Sequence, residues 1–186
     1  MIRPVESEFP LIRSESCILV MIDFQERLVP AMAEKERLLE NAVRLARASR
    51  ILGLPVLVTE QQKLGATVPE LRDALGAVDP VSKVEFNGFG SEAFTERVKS
   101  LKRNTLILSG IEAHICVAQT ALHAVPYYRV HVVADAVSSR APQNRDIALR
   151  RMEQAGVVLS STEMVIYELL GKAGTGEFRE VLKLVK

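Results

Sequence analysis

The sequence is short of cysteine, nearly without net charge and free of long apolar runs, and each shortage removes a class of protein. Cys17 and Cys116 are its two cysteines, and neither belongs to a CxxC or Cys/His cluster, so a disulfide scaffold is not expected. Lys plus Arg is 24 against 23 for Asp plus Glu, a formal net charge of +1. That balance supplies no long-range field to gather a polyanion, and nucleic acid is not an expected partner. No stretch approaches the ~20 apolar residues of a membrane span. The segment from Met1 to Pro10 carries Arg3, Glu6 and Glu8 where a secretory leader would be apolar. A cytoplasmic protein without a membrane partner is therefore expected, in a compartment that would keep a free thiol reduced. No strand-like run is followed by GxGxxG or GxxxxGK[ST], which sets aside a flavodoxin-like nucleotide or phosphate binder. His114, His123 and His131 lack paired ligand spacing, so neither a metal nor another cofactor is expected.

What is present reads as one domain over residues 1–186, with 48% hydrophobic and 25% charged residues. Apolar, β-branched runs at Cys17–Ile22, Thr105–Leu108 and Val130–Val133 predict strands buried on both faces, as in a parallel sheet. Val56–Thr59 and Val157–Leu159 are two further candidates. Between them, Glu34–Leu52 places Leu38, Leu39, Ala42, Leu45 and Ala46 at helical spacing, and Ser91–Leu101 opens on a serine suited to capping. Ile115–Val125, Gln143–Ala155, Thr162–Leu170 and Glu177–Leu184 complete the predicted helices. Strand and helix alternate, and right-handed crossovers then give a three-layer α/β/α sandwich.

In such a sheet, ligands gather at the carboxyl ends of the strands. Asp23 follows the first run directly, although it equally suits a cap or a strand break. Lys83 lies in Val81-Ser82-Lys83-Val84-Glu85-Phe86 at a short strand's end, where a solvated edge lysine is the bland alternative. Cys116 follows Thr105–Leu108 across a short loop and enters a helix near Ile115. A helix N-terminus favours thiolate and offers N–H groups to an oxyanion, whereas a small buried hydrophobe is the ordinary fate of a free cysteine. Cys17, opening a strand, reads as core. Together the three groups could divide a covalent reaction: Cys116 attacks, Asp23 carries the proton, and Lys83 holds negative charge. His114 is two residues from Cys116 and does not share its helix face.

These segments resemble the isochorismatase-like cysteine hydrolase family, with its YcaC-related members, over nearly the whole chain. The resemblance rests on Leu19-Val20-Met21-Ile22-Asp23-Phe24-Gln25, Thr59-Glu60-Gln61, Lys83-Val84-Glu85-Phe86, Gly110-Ile111-Glu112-Ala113-His114-Ile115-Cys116-Val117 and Val133-Ala134-Asp135-Ala136-Val137-Ser138-Ser139-Arg140. It implies an Asp23, Lys83 and Cys116 triad, a sheet of order 3-2-1-4-5-6 and a homo-oligomer. It also implies a non-prolyl cis peptide at Ile111–Glu112, in the loop that presents N–H groups near Cys116. The implied reaction cleaves an amide or related bond in a small molecule through a covalent Cys116 intermediate. Phe24, Gln25, Gln61, Phe86, Phe89 and Ile115 flank the motifs and are the candidate pocket walls. The competing reading is a protein of the same fold that binds a metabolite or a protein without chemistry.

Overall fold

Strand β1 (Cys17–Ile22) is buried along its whole length, as its unbroken apolar run requires. Its side chains alternate between two clusters: Cys17, Leu19 and Met21 enter one, while Ile18, Val20 and Ile22 enter the other. The computed structural model describes residues 11–185; the polar segment 1–10, with Arg3, Glu6 and Glu8, lies outside the described residues. Strands β2 (Val56–Gln61), β3 (Val81–Lys83), β4 (Thr105–Ile111), β5 (Arg129–Ser138) and β6 (Val158–Ser160) join β1 in one parallel sheet. Its order is β3-β2-β1-β4-β5-β6.

Helices α1 (Lys35–Ile51), α2 (Pro69–Leu75), α6 (Thr162–Leu170) and α7 (Gly176–Val185) cover the Cys17 face through Leu38, Leu45, Leu71, Val165 and Val181. Helices α3 (Glu92–Ser100), α4 (Ala118–Ala124) and α5 (Pro142–Gln154) cover the other through Phe94, Val98, Ala121 and Met152. The three-layer sandwich and strand order expected above are both found. Each fully buried large side chain contributes on the order of 1.5–3 kcal/mol. A one-residue slip in any inner strand would move its whole apolar set to the wrong cluster, so the two clusters fix the register.

Local signals set the helix ends. The Ser91 and Ser161 hydroxyls accept from Phe94 N and Met164 N at 3.4 and 3.2 Å, and left-handed Gly171 (φ 68) ends α6. Helix α2, unanticipated in the sequence, starts on Pro69, whose missing N–H is no loss at a first helical position. Two strands outrun their apolar cores. β4 continues through Ser109-Gly110-Ile111, and β5 continues to Ser138 with a bulge, since Leu108 pairs with Val132 while Gly110 pairs with Val137. Gly110 permits this extension: at φ 143, a Cβ there would lie 2.3 Å from the Ile22 carbonyl oxygen. The chain steps outward from β1 to β3 and returns beside β1 as β4, so the strand order reverses where β1 and β4 end.

Candidate active site

Asp23 directly follows β1 at that reversal. Strict alternation would send it to the α1 face behind Cys17, Leu19 and Met21. Instead Asp23 adopts φ 56, in the left-handed region that aspartate tolerates better than most residues. Its carboxylate meets Thr59 and Lys83. These two side chains share the opposite face by alternation, because Leu57 and Val81, two positions earlier on β2 and β3, belong to the cluster that contains Cys116. One backbone torsion thus brings the acid to the side of the sheet that holds the thiol.

The Lys83 ammonium lies 2.7 Å from Asp23 Oδ2, 2.8 Å from Gln61 Oε1 and 3.9 Å from Cys116 Sγ, one acceptor for each of its three N–H bonds. Asp23 Oδ1 accepts from Thr59 Oγ1 at 2.7 Å. The side chains of Lys83 and Asp23 have no solvent exposure, and a buried ion pair persists only when its remaining valences are filled in this way. Gln25 clamps the end of β2: its Oε1 accepts from Gln61 N at 2.8 Å, and its Nε2 donates to Gln61 O at 2.9 Å and to Gly65 O at 2.6 Å.

Cys116 sits in a five-residue π-helical turn, Ala113–Val117, that runs into α4, rather than at the start of an α-helix near Ile115. Its thiol is pushed up to about 12, first by burial and next by the Asp23 charge, with Lys83 pulling the other way. The expectation that the helix start and Lys83 would hold this sulfur ionised is therefore corrected. A thiol with a value of about 12 carries a thiolate fraction on the order of 10⁻⁵ near pH 7. Sulfur attack at this site thus requires a neighbouring base to take the proton as the new bond forms, and Asp23 is the neighbouring carboxylate.

The Ile111–Glu112 peptide bond, leading into this turn, is cis. The buried Glu112 carboxylate accepts from Arg140 N at 3.0 Å and from Arg140 Nε at 3.2 Å. His114 turns to Ser139, with Nδ1 2.9 Å from Oγ. Cys17 is fully buried in the α1-side core, as read from the sequence. Among the described residues no group of three or more His, Cys, Asp or Glu side chains is arranged to hold a metal ion.

The pocket candidates scatter. Phe24 is fully buried in the α1-side cluster, across the sheet from Cys116, and is corrected to a core residue: proximity in sequence placed it near Asp23, but the left-handed turn at Asp23, past the end of β1, sends the next side chain to the opposite face. Gln25 is a fully buried clamp, and Gln61 is a ligand of Lys83. Phe89 is held in an aromatic cluster, 5.1 Å from Phe94 and 5.0 Å from His123 between ring centroids. Phe86 is 53% exposed beyond Lys83. Ile115 packs half-buried in the same turn as Cys116. The site residue missed in the sequence is Thr59, although it closes the apolar run Val56–Thr59 and so met the strand-end criterion that selected Asp23.

The chain matches the isochorismatase domain over residues 17–164. It is 38% identical over 176 residues to isochorismatase domain-containing protein 2 of Danio rerio, a match covering 92% of this chain and 88% of the relative. Among solved structures, the MAR1 ribonuclease of Caenorhabditis elegans is similar with a TM-score of 0.88 and 37% identity, covering 95% of this chain and 92% of that one. YcaC from Pseudomonas aeruginosa, solved with hexane-2,5-diol and covalent acrylamide, is similar with a TM-score of 0.89 and 25% identity, covering 96% and 93%.

Proposed function

The chain belongs to the isochorismatase family, and from that premise we propose that it is a cysteine-dependent hydrolase of small-molecule amides, with Cys116 as nucleophile, Asp23 as proton carrier and Lys83 as the fixed cation. The observation that carries this reading is the contact of one buried ammonium with both the Asp23 carboxylate and the Cys116 sulfur. As sulfur bonds to the substrate carbonyl carbon, its proton passes to Asp23. Backbone N–H groups of the turn between Glu112 and Cys116 are the proposed donors to the oxyanion. Collapse breaks the C–N bond, and Asp23 returns the proton to the departing nitrogen. Water then attacks the thioester and gives a proton to Asp23; the S–C bond breaks, the acid leaves, and the proton returns to sulfur. Positioned proton transfer of this kind contributes about 10²–10⁴-fold, which offsets part of so scarce a thiolate.

Two observations favour a small molecule. Cys116 is only 6% exposed, which suits a small acyl group better than a polymer. The P. aeruginosa relative was solved with covalent acrylamide, a small electrophile that thiols add to at its double bond. RNA, which the name of the C. elegans relative raises, draws no comparable support from a formal net charge of +1.

One observation favours the second reading, a binding protein without chemistry: Cys116 is buried, and burial raises its thiol. Incubation with acrylamide, intact-mass and peptide spectrometry, and hydrolysis of p-nitroacetanilide separate the two. The expected result is one adduct on Cys116 and anilide turnover, both lost in Cys116→Ala. Full turnover by Cys116→Ala would refute the nucleophile; a wild-type protein that binds acrylamide reversibly with neither adduct nor product would support the binding reading.

A further inference from the structure

Strand β2 supplies none of the three groups assigned to the chemistry, yet it lies between β1, which leads into Asp23, and β3, which ends in Lys83. Residues 59 and 61 share one face of β2, and each meets one member of the buried pair. Thr59 Oγ1 donates to Asp23 Oδ1 at 2.7 Å, while Gln61 Oε1 accepts from Lys83 Nζ at 2.8 Å. Thr59 grips Asp23 a second time through the main chain, its carbonyl accepting from Asp23 N at 3.1 Å. It is fully buried, and as a β-branched residue in a strand it has few side-chain rotamers, so the backbone of β2 sets the aim of its hydroxyl.

We propose that Thr59 is a positioning residue for the hydrolysis, holding the Asp23 carboxylate in the one orientation that faces the Cys116 sulfur. The inference rests on the reading of Asp23 as proton carrier. A carboxylate held at one oxygen still rotates about its terminal bond. Held at Oδ1 by Thr59 and at Oδ2 by Lys83, it cannot turn without breaking a buried hydrogen bond. Orientation matters most where proton transfer accompanies the chemical step. Amide cleavage needs Asp23 twice in its first half, to take the sulfur proton and to deliver it to nitrogen; expulsion of a p-nitrophenolate needs no delivery.

The test compares wild type, Thr59→Val, Thr59→Ser and Asp23→Asn on p-nitroacetanilide and on the burst of p-nitrophenol from p-nitrophenyl acetate, with thermal melts confirming that each variant is folded. Thr59→Val, close in shape but without the donor, is expected to lower kcat on the anilide about 10- to 100-fold with KM within about twofold, because displacement of a catalytic group on the scale of an ångström costs about that much. Its ester burst falls at least tenfold less, and Thr59→Ser recovers most of the anilide rate. Equal loss of both reactions would overturn the proposal, since that is what a merely structural role produces. So would wild-type anilide turnover in Thr59→Val while Asp23→Asn is impaired. If Asp23→Asn itself turns over the anilide at the wild-type rate, the reading of Asp23 fails, and the proposal fails with it.

Discussion

Replacing Asp23 by asparagine should move the ionisation of Cys116 and its catalytic turnover in opposite directions. In the wild type, burial and the Asp23 charge together raise the thiol to about 12 against the pull of Lys83. Removing the carboxylate charge leaves a buried ammonium 3.9 Å from the sulfur, and the thiolate becomes its nearest available counter-ion. Asp23 Oδ2 and the sulfur, hydrogen-bonded to the same ammonium at 2.7 and 3.9 Å, lie no more than about 6.6 Å apart, and at an effective dielectric near 20 the repulsion removed is worth ~2.5 kcal/mol, or about 2 pK units. The Cys116 titration should therefore fall below about 12 by roughly that amount. At pH 8 the thiolate fraction would rise from ~10⁻⁴ to ~10⁻², roughly a hundredfold. Thiolate ultraviolet absorbance, with Cys116→Ala as the blank for Cys17 and the tyrosines, reads this directly. Acylation by p-nitrophenyl acetate should accelerate with it. Hydrolysis of p-nitroacetanilide should instead fall by about 10²–10⁴-fold, because no group returns a proton to the leaving nitrogen. A thiol that titrates at the wild-type pH in Asp23→Asn, or an anilide rate that rises with the ester rate, would refute the reasoning.

Two further predictions concern the scaffold. His131 is buried on β5 with Nδ1 unpartnered among the described residues. Burial lowers its pKa, opposed by Glu168 and reinforced by Arg129. The unfolded chain therefore takes up a proton that the fold resists: the neutral ring's contribution is intact above about pH 6.5 and is lost as pH falls through the lower folded value. Melting temperature in His131→Leu should fall less steeply between about pH 7 and 5 than in the wild type; parallel curves would remove His131 from the acid response. Gly110→Ala would place a Cβ 2.3 Å from the Ile22 carbonyl oxygen at φ 143, and should cost several kcal/mol, roughly 4 or more. An unchanged urea midpoint would show that β1 and β4 part freely at the site.

The opposed pull of Asp23 and Lys83 on one thiol also accounts for the buried ion pair. Such a pair contributes little net stability once desolvation is counted, and removing one partner costs about 3–5 kcal/mol. Its arrangement fits the proposed chemistry: the ammonium bonds both the Asp23 carboxylate and the Cys116 sulfur, which holds the proposed proton acceptor beside the thiol.

The amino-acid sequence by itself determined the layers and named the proposed trio. Apolar runs that must be buried on both faces define inner parallel strands, helical stripes define their cover, and residues just past strand ends are carried to one rim; Asp23, Lys83 and Cys116 became candidates on those local facts, and the resemblance to the isochorismatase-like family favoured them over a cap, an edge lysine and a core thiol. Helix α2 was missed because seven residues are too few for a periodic signal. The tertiary structure alone decided what depends on distances between elements. A left-handed torsion at Asp23 turned its carboxylate toward Cys116 and left Phe24 in the opposite core. Packing around the sulfur reversed the expected ionisation, since desolvation is a property of the assembled fold. Thr59 became legible as a partner of Asp23 only when β2 was seen to lie between β1 and β3, 36 residues away in sequence and 2.7 Å away in space.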